Sequence, residues 1–575
     1  MTSSPIRFDR AATGWTAGAG LIAVFARTSL ACLALLVGSL RPADAGAAEA
    51  AATRARSEGA ANVEAWYELR LGNVHCGWMR TATVTQRDRV STSSETVLRL
   101  DRAGERVTIE LSSEFVETLT GHPVSMSVRS ATGGPPVTTR WTFPAGGERG
   151  GGGGESPSVA VVERQGDRER RSEEPLPAGE WLPPAAAERF FAERRAAGAT
   201  EVSYRVVDGQ AGLRAAKVSA RRVGEGRFRI ETGAARGERE LPTTIWEIAT
   251  DLVPVASTIE LTSDGRIVRS FTMLGAERLE SVLSTRDRAR RLGSAPAPDL
   301  ISSTMNAPDR PIQRPHATRR ARYRIEIAEG ELPELPEAGA QRVERDGPSA
   351  AILLVDVGRP LAASEAERGD PAYRAASALI DFDDPDVIAL TERALGRGSG
   401  RSRPAAPAPS AAPSGQSPPV AAPATLETAE RLRAFVVGHI RDKGLATAFA
   451  GAAETARSRA GDCTEHAVLL AAMLRAAGIP ARIGVGLVYA DRFAGRRDVF
   501  AWHMWTQALI EDAEGTWRWI DLDATLDGRS FHAAHILTAT TSLAEGPLDP
   551  RLVGIIPMLG RLSIKVLEVD HGRRP

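Results

Sequence analysis

From about residue 60 to 300, apolar and polar positions alternate in short runs separated by turn residues. Val107, Ile109 and Leu111 alternate with polar partners, and Phe228 and Ile230 repeat the period after Gly224-Glu225-Gly226. Ser263-Asp264-Gly265-Arg266 joins two further runs of the same kind. A period of two with Gly-rich punctuation predicts antiparallel strands joined by tight turns. Pro184 to Ala197 breaks the pattern with a helical spacing of apolar residues.

Beyond residue 300 the pattern mixes. Arg322 to Ile327 and Ala350 to Val357 read as strands, Asp381 to Leu395 and Leu426 to Phe449 as helices. Leu562 to Val569 reads as a strand that closes the sheet of the C-terminal region. Ala467 onward is apolar nearly all round, which predicts a buried helix ending at Ala477, because Gly478 supplies a left-handed C-terminal residue and Pro480 stops continuation. Ala501 to Ile510 and Thr516 to Asp523 read as the two strands of a hairpin across Glu511 to Gly515. Pairing Ile510 with Thr516 puts Trp505 opposite Asp521 and His503 opposite Asp523.

With 575 residues the chain is long enough for several domains, and composition marks their limits. Gly146 to Ser158 is a glycine-rich loop, and Arg401 to Thr425, dense in Ala, Pro and Ser, is a linker. The expected organisation is an N-terminal segment over 1–45, an antiparallel β accessory domain over 60–300, and a C-terminal region over 301–575 whose core is 426–575. The 72 basic residues balance the 72 acidic ones, which disfavours a nucleic-acid partner.

The first 45 residues predict the compartment. Arg7 and Arg10 precede an apolar stretch through Leu40, followed by Ala43-Asp44-Ala45, the layout of a secretory signal. The expectation is an exported protein, periplasmic or extracellular, with an uncleaved membrane anchor as the alternative and an association with the cell envelope open. Removal of that segment leaves Cys76 and Cys463, too few for a disulfide framework. Three lysines against many arginines suggest a GC-rich bacterial genome.

Chemistry concentrates in Gly461-Asp462-Cys463-Thr464-Glu465-His466. Asp462 with Glu465 three residues later predicts an N-cap and capping box, placing Cys463 on the first helical residue, where the helix dipole favours a thiolate. His503 and Asp523, brought opposite each other by the hairpin, complete a thiol, an imidazole and a carboxylate. Asp521 lies on the same face and is the reserve acid. Glu465 is expected to cap rather than catalyse, and most of Trp502, Trp505, Trp517 and Trp519 to pack in the core. Cys463-x-x-His466 with His503, and His532-x-x-His535, have spacings that zinc could use, but neither supplies four ligands, so no metal and no cofactor are expected.

Four blocks carry a family resemblance: Gly461-Asp462-Cys463, Gly478-Ile479-Pro480-Ala481-Arg482, His503-Met504-Trp505 and Trp519 to Thr525, in that order. They resemble the transglutaminase-like superfamily of papain-like cysteine enzymes. The resemblance spans roughly the last quarter of the chain and implies Cys463 as nucleophile, His503 as base and Asp523 as orienting acid. With the alternating N-terminal pattern above, the expected fold is α+β: an N-terminal antiparallel β domain followed by the C-terminal papain-like domain that the resemblance implies. The expected substrate is an amide of a peptide or protein, with hydrolysis expected over cross-linking because water is the default acceptor in a dilute extracytoplasmic space. Ala524 replaces the usual proline after the acid, and Gln507 stands where a glutamate is common. The backbone N–H of Cys463 is one oxyanion donor, and Leu445 to Ala460 holds no Trp or Gln to serve as a second. No acidic calcium loop is present, so calcium dependence is not expected. The reading from a different class is a non-catalytic envelope-binding or assembly module with a vestigial triad.

Overall fold

The computed structural model describes residues 60–572 except 103–104, 132–135, 145–157, 167, 208–211, 233–236, 293–297, 398–418, 421, 445–448, 529–530 and 545–548. The signal-like segment, nearly all of the glycine-rich loop and most of the Ala/Pro/Ser-rich linker therefore lie outside the described residues. The chain divides into two compact units, one over 23–303 and one built mainly from 304–408 and 412–575.

In the first unit fourteen antiparallel strands form one sheet. Its first strand, Ala60–Leu71, lies in mid-sheet between Val74–Gln86 and the last, Glu277–Ser284, and the edges are Arg168–Pro175 and Glu201–Val207. Val107, Ile109 and Leu111 are buried on one face, as their alternation requires. The edge strand Arg168–Pro175 is almost wholly exposed and charged, which discourages edge-to-edge pairing with another chain. The Gly224-Glu225-Gly226 segment is not a turn. It runs inside an 18-residue strand, Ala215–Thr232, as a register shift against Gly237–Thr250. A Cβ on Gly226 would come within 2.8 Å of Thr243 Oγ1, so the glycine serves close packing of adjacent strands rather than chain reversal.

The helix Pro184–Ala196 packs Phe191 edge-on against Trp246, with ring centres 5.2 Å apart. The Ala185 N–H at its start donates to buried Glu117 at 2.9 Å. Burial first, and the neighbouring Glu117 second, push Glu188 on this helix up to about 8. A carboxyl raised in the folded state favours folding below its unfolded value of about 4.3, and that contribution is lost as pH rises toward the folded value. Thermal unfolding should therefore show the wild type losing stability relative to Glu188→Gln between about pH 5 and pH 8.

The second unit holds two four-stranded sheets. One combines β1 (Arg320–Ile327), β2 (Gln341–Arg345), β3 (Ala350–Asp356) and a strand near the C-terminal end, Leu562–Asp570, in the order β2-β3-β1 and then Leu562–Asp570. The expectation that Leu562 to Val569 closes the sheet carrying His503 is corrected here: this strand pairs with β1, Ile325 opposite Ile564. A period-two strand does not encode its neighbour, and the partner is chosen by packing.

The other sheet follows the helices α1 (Pro385–Ala394), α2 (Leu426–His439), α3 (Ala452–Ser458) and α4 (Cys463–Ala476). It consists of β4 (Ala481–Phe493), β5 (Arg496–Glu511), β6 (Trp517–Leu522) and β7 (His535–Thr541), ordered β6-β5-β4-β7 and antiparallel throughout. Helix α2 ends at His439, ten residues short of the expected Phe449, its last turn tied by His439 Nε2 to the Ala456 carbonyl. Strand β5 is buried on both faces from Val499 to Ile510: α4 packs on one, with Thr506 Oγ1 donating to the Ala467 carbonyl at 2.9 Å, and Ala338 and Tyr373 pack against Trp505 and Leu509 on the other. Strands outweigh helices, so the chain taken whole is mostly β with a few helices rather than an evenly mixed α+β protein.

Candidate active site

Asp462 caps α4 by accepting from the Thr464 N–H at 2.8 Å, and Glu465 Oε2 returns the bond to the Asp462 N–H, also at 2.8 Å. Cys463 is thus the first helical residue. Glu465 Oε1 also accepts from the Ala450 N–H at 2.9 Å, so one buried carboxylate joins the cap to the chain ahead of α3. Burial first, and the charge of Asp462 second, hold the Glu465 carboxyl well above the usual range. At the other end of α4, Arg475 donates to the carbonyls of Ala481, Ser542 and Ala375, fixing the helix against the strand that follows.

Gly461, just before the cap, has φ +148, and a Cβ there would lie 2.3 Å from Glu465 Cβ. Both the backbone angle and the close approach need glycine. Gly461→Ala should destabilise the C-terminal unit by about 3 kcal/mol, read as a lower urea midpoint with an unchanged slope.

The hairpin carrying His503 has a register two residues from the expected one. Gln507 pairs with Asp521 and Thr506 with Leu522, and the loop is Asp512 to Thr516. Asp512 decides this, because its Oδ1 accepts from the Glu514 and Thr516 N–H groups and captures the turn one residue later than the charge pattern suggests. A two-residue slip leaves every side chain on its original face. Asp523 lies just past the end of β6, and its Oδ2 meets His503 Nε2 at 2.8 Å. Asp523 Oδ1 accepts from the Thr525 N–H at 2.8 Å and from Thr525 Oγ1 at 2.6 Å. Arg433 on α2 donates to the Asp523 and Leu526 carbonyls at 3.3 and 3.0 Å, anchoring the turn.

Asp523 is fully enclosed. Burial opposes its ionisation, but the attraction and hydrogen bonds of His503 and His535 outweigh it and hold the carboxyl well below the usual range. Asp521 has a separate task. It accepts from Trp505 Nε1 at 2.8 Å, Gln507 Nε2 at 2.7 Å and the Ala340 N–H at 2.9 Å, a structural network that leaves His503 to Asp523. Burial raises its carboxyl, opposed by those bonds.

His503 Nδ1 is buried and has no hydrogen-bond partner among the described residues. His466, one turn along α4 from Cys463, donates from Nδ1 to the Asp462 carbonyl at 2.6 Å, and burial lowers it to about 4, so it is neutral at physiological pH. Trp502, Trp505 and Trp519 are buried, Trp517 partly so, and Trp519 Nε1 donates to Glu367.

Of the residues named from the sequence, the structure brings His503 and Asp523 together and places Cys463 at the start of α4; Arg433 and Arg475 were not named, because they act on carbonyls and leave no spacing signal. The sequence presents His535 only through a metal spacing. In the structure His535 Nε2 contacts Asp523 Oδ2 at 3.2 Å. His503, Asp523 and His535 offer donor atoms within 4.8 Å of one another, compact enough to consider a metal ion. Both contacts to Asp523 are hydrogen-bond lengths, and we read the group as a proton-sharing cluster.

Residues 417–524 match the model of the transglutaminase-like superfamily. The C-terminal unit contains a transglutaminase-like domain. No curated protein matches the chain. Several solved structures are similar to parts of it, three of them as follows. A β-barrel-like protein of unknown function from Brucella abortus is 12% identical over 39% of this chain and 95% of its own, with a TM-score of 0.27. A Cytophaga hutchinsonii protein provisionally described as a cysteine protease is 15% identical over 43% of this chain and 83% of its own, with a TM-score of 0.24. A Parabacteroides distasonis protein provisionally described as a protease is 12% identical over 56% and 63%, with a TM-score of 0.15.

Proposed function

We propose that the transglutaminase-like domain is a cysteine enzyme that cleaves amide bonds of peptides or proteins through a thioester on Cys463. The observation that carries this reading is the state of His503: Nε2 is held by Asp523 at 2.8 Å, while Nδ1 has no hydrogen-bond partner among the described residues. An ionised carboxylate on Nε2 fixes the hydrogen there and leaves the Nδ1 lone pair to take a proton, the state a general base needs. Cys463 at the start of α4 supplies the thiol. It passes its proton to His503, its sulfur bonds the amide carbon, the imidazolium returns the proton to the departing amine, and water then cleaves the thioester.

The papain-like arrangement, with a thiol at a helix start packed on an antiparallel sheet bearing the base, belongs to this proposal. Hydrolysis is favoured over amine transfer because water is the prevalent acceptor outside the cell. Export itself rests on the N-terminal sequence pattern.

The test is acid-quenched mass spectrometry of the protein after incubation with a panel of peptide amides and esters. The proposal expects an acyl adduct that maps to Cys463 and is absent from Cys463→Ala. A protein that forms no adduct with any member and releases no amine contradicts it.

One observation favours a second reading, a non-catalytic envelope module with a vestigial triad. Cys463 is 0% exposed and His503 and Asp523 are each 1% exposed, so substrate reaches the thiol only after local opening. Unchanged envelope phenotype in Cys463→Ala cells, with a thiol no more reactive than an unfolded one, is the outcome that reading requires.

A further inference from the structure

Asp523 Oδ2 faces two imidazoles. His503 Nε2 lies at 2.8 Å and His535 Nε2 at 3.2 Å, and the two rings are 5.8 Å apart. His535 also presents Nδ1 to the His532 carbonyl at 2.9 Å. Both ring nitrogens of His535 therefore meet oxygens that only accept. A neutral imidazole carries one N–H, so it can satisfy one of these contacts and must turn a lone pair toward the other. Only the imidazolium satisfies both. A proton on Asp523 instead is disfavoured, because Oδ1 already receives the Thr525 N–H and Oγ1, Oδ2 receives His503, and the carboxyl is held well below the usual range.

We propose that His535 is a positioning residue of the triad: by gaining or losing one proton it sets how much of the Asp523 carboxylate is left to His503. The inference rests on the catalytic reading above for its consequence, though not for its geometry. In the neutral state Nδ1–H donates to the His532 carbonyl at the shorter contact, and Oδ2 belongs to His503 alone. Protonation from solvent at Nε2 adds a second donor to Oδ2 and a positive charge beside His503. The carboxylate then supports the His503 imidazolium less, and the thiolate–imidazolium pair is harder to form.

The surroundings of His535 are suited to a titrating group held in one place. Trp505 packs edge-on to its ring and Phe531 lies over it, with centres 5.4 and 4.2 Å away. The flanking backbone is fixed from the other sheet, since Tyr323 OH donates to the Ala533 carbonyl and Gln341 bonds both the N–H and the carbonyl of Leu537. The ionisable groups facing it are Asp523 and His503, with His532 beside it, His316 behind His532 at 3.3 Å, and Asp521 on β6. Burial lowers the His535 imidazole and the Asp523 contact opposes it, so the exchange falls on the acid side of the ordinary imidazole range.

Two measurements on the full chain test the proposal. The first is the rate of Cys463 alkylation by iodoacetamide against pH. The wild type should lose reactivity toward acid with a slope approaching about two protons, and His535→Gln, which keeps an uncharged donor, with a slope of about one and a midpoint at lower pH. The second is an NMR titration of carbon-13-labelled histidines, with the His535 signal assigned by its loss in His535→Gln. Asp523→Asn should lower the pH at which His535 titrates. Wild-type and His535→Gln profiles that superimpose, or a His535 titration unmoved by Asp523→Asn, overturn the inference. An unreactive Cys463 in the wild type overturns the catalytic reading and not the shared carboxylate, which the NMR titration decides by itself.

Discussion

Cys463→Ala is expected to abolish amide cleavage, lowering kcat roughly a million-fold, the scale seen when a covalent nucleophile is removed from a triad enzyme. The residue is buried at the first position of α4, and alanine is a strong helix former of smaller volume, so the cap made by Asp462 and Glu465 survives. Circular dichroism and the urea midpoint should stay close to wild type while acyl adduct formation disappears. A Cys463→Ala protein that keeps more than a few per cent of the activity would sink the covalent mechanism.

Asp523→Asn should cost about four orders of magnitude in kcat, and the reason lies in Thr525. Its N–H and hydroxyl both donate to Asp523 Oδ1, so an asparagine at 523 keeps its carbonyl oxygen there and turns its NH2 toward His503. His503 Nε2 must then accept, which moves the ring hydrogen to Nδ1 and removes the lone pair that takes the thiol proton. The same change alters acid stability. The carboxyl is held well below the usual range in the folded protein, so its contribution is present above the unfolded value of about 3.9 and lost as pH falls toward the folded one. Wild type should therefore lose stability on acidification in a step that Asp523→Asn lacks. An Asp523→Asn enzyme within tenfold of wild type would show that His503 does not depend on this carboxylate for its tautomer.

The two prospective lesions separate chemistry from architecture, and the sequence separates them in the same way. Asp462, Cys463 and Glu465 were legible because a capping box is local: the groups that bond lie within four residues. The face shared by His503 and Asp523 was legible because strand alternation survives a slip of two. The register itself was not, since it depends on which residue captures the turn, and Asp512 does so with its side chain. Likewise Gly224 and Gly226 carry the signature of a turn but serve a bulge, a choice made by Thr243 and Glu260 on neighbouring strands. Arg433 and His535 reach Asp523 from α2 and β7, elements separated from it by 90 and 12 residues. No periodicity encodes such contacts. His532-x-x-His535 did stand out as a pair, yet its meaning depended on the carboxylate opposite, which only the fold supplies.

Whether His503 and Cys463 work as a proton-exchanging pair is read from the pH dependence of Cys463 alkylation by iodoacetamide in the wild type and in His503→Ala. The wild type should show an apparent thiol pKa well below the ordinary value of roughly 8.5, and it should rise when His503 is removed. A thiol that titrates normally, or stays unreactive, in both proteins would contradict the pairing.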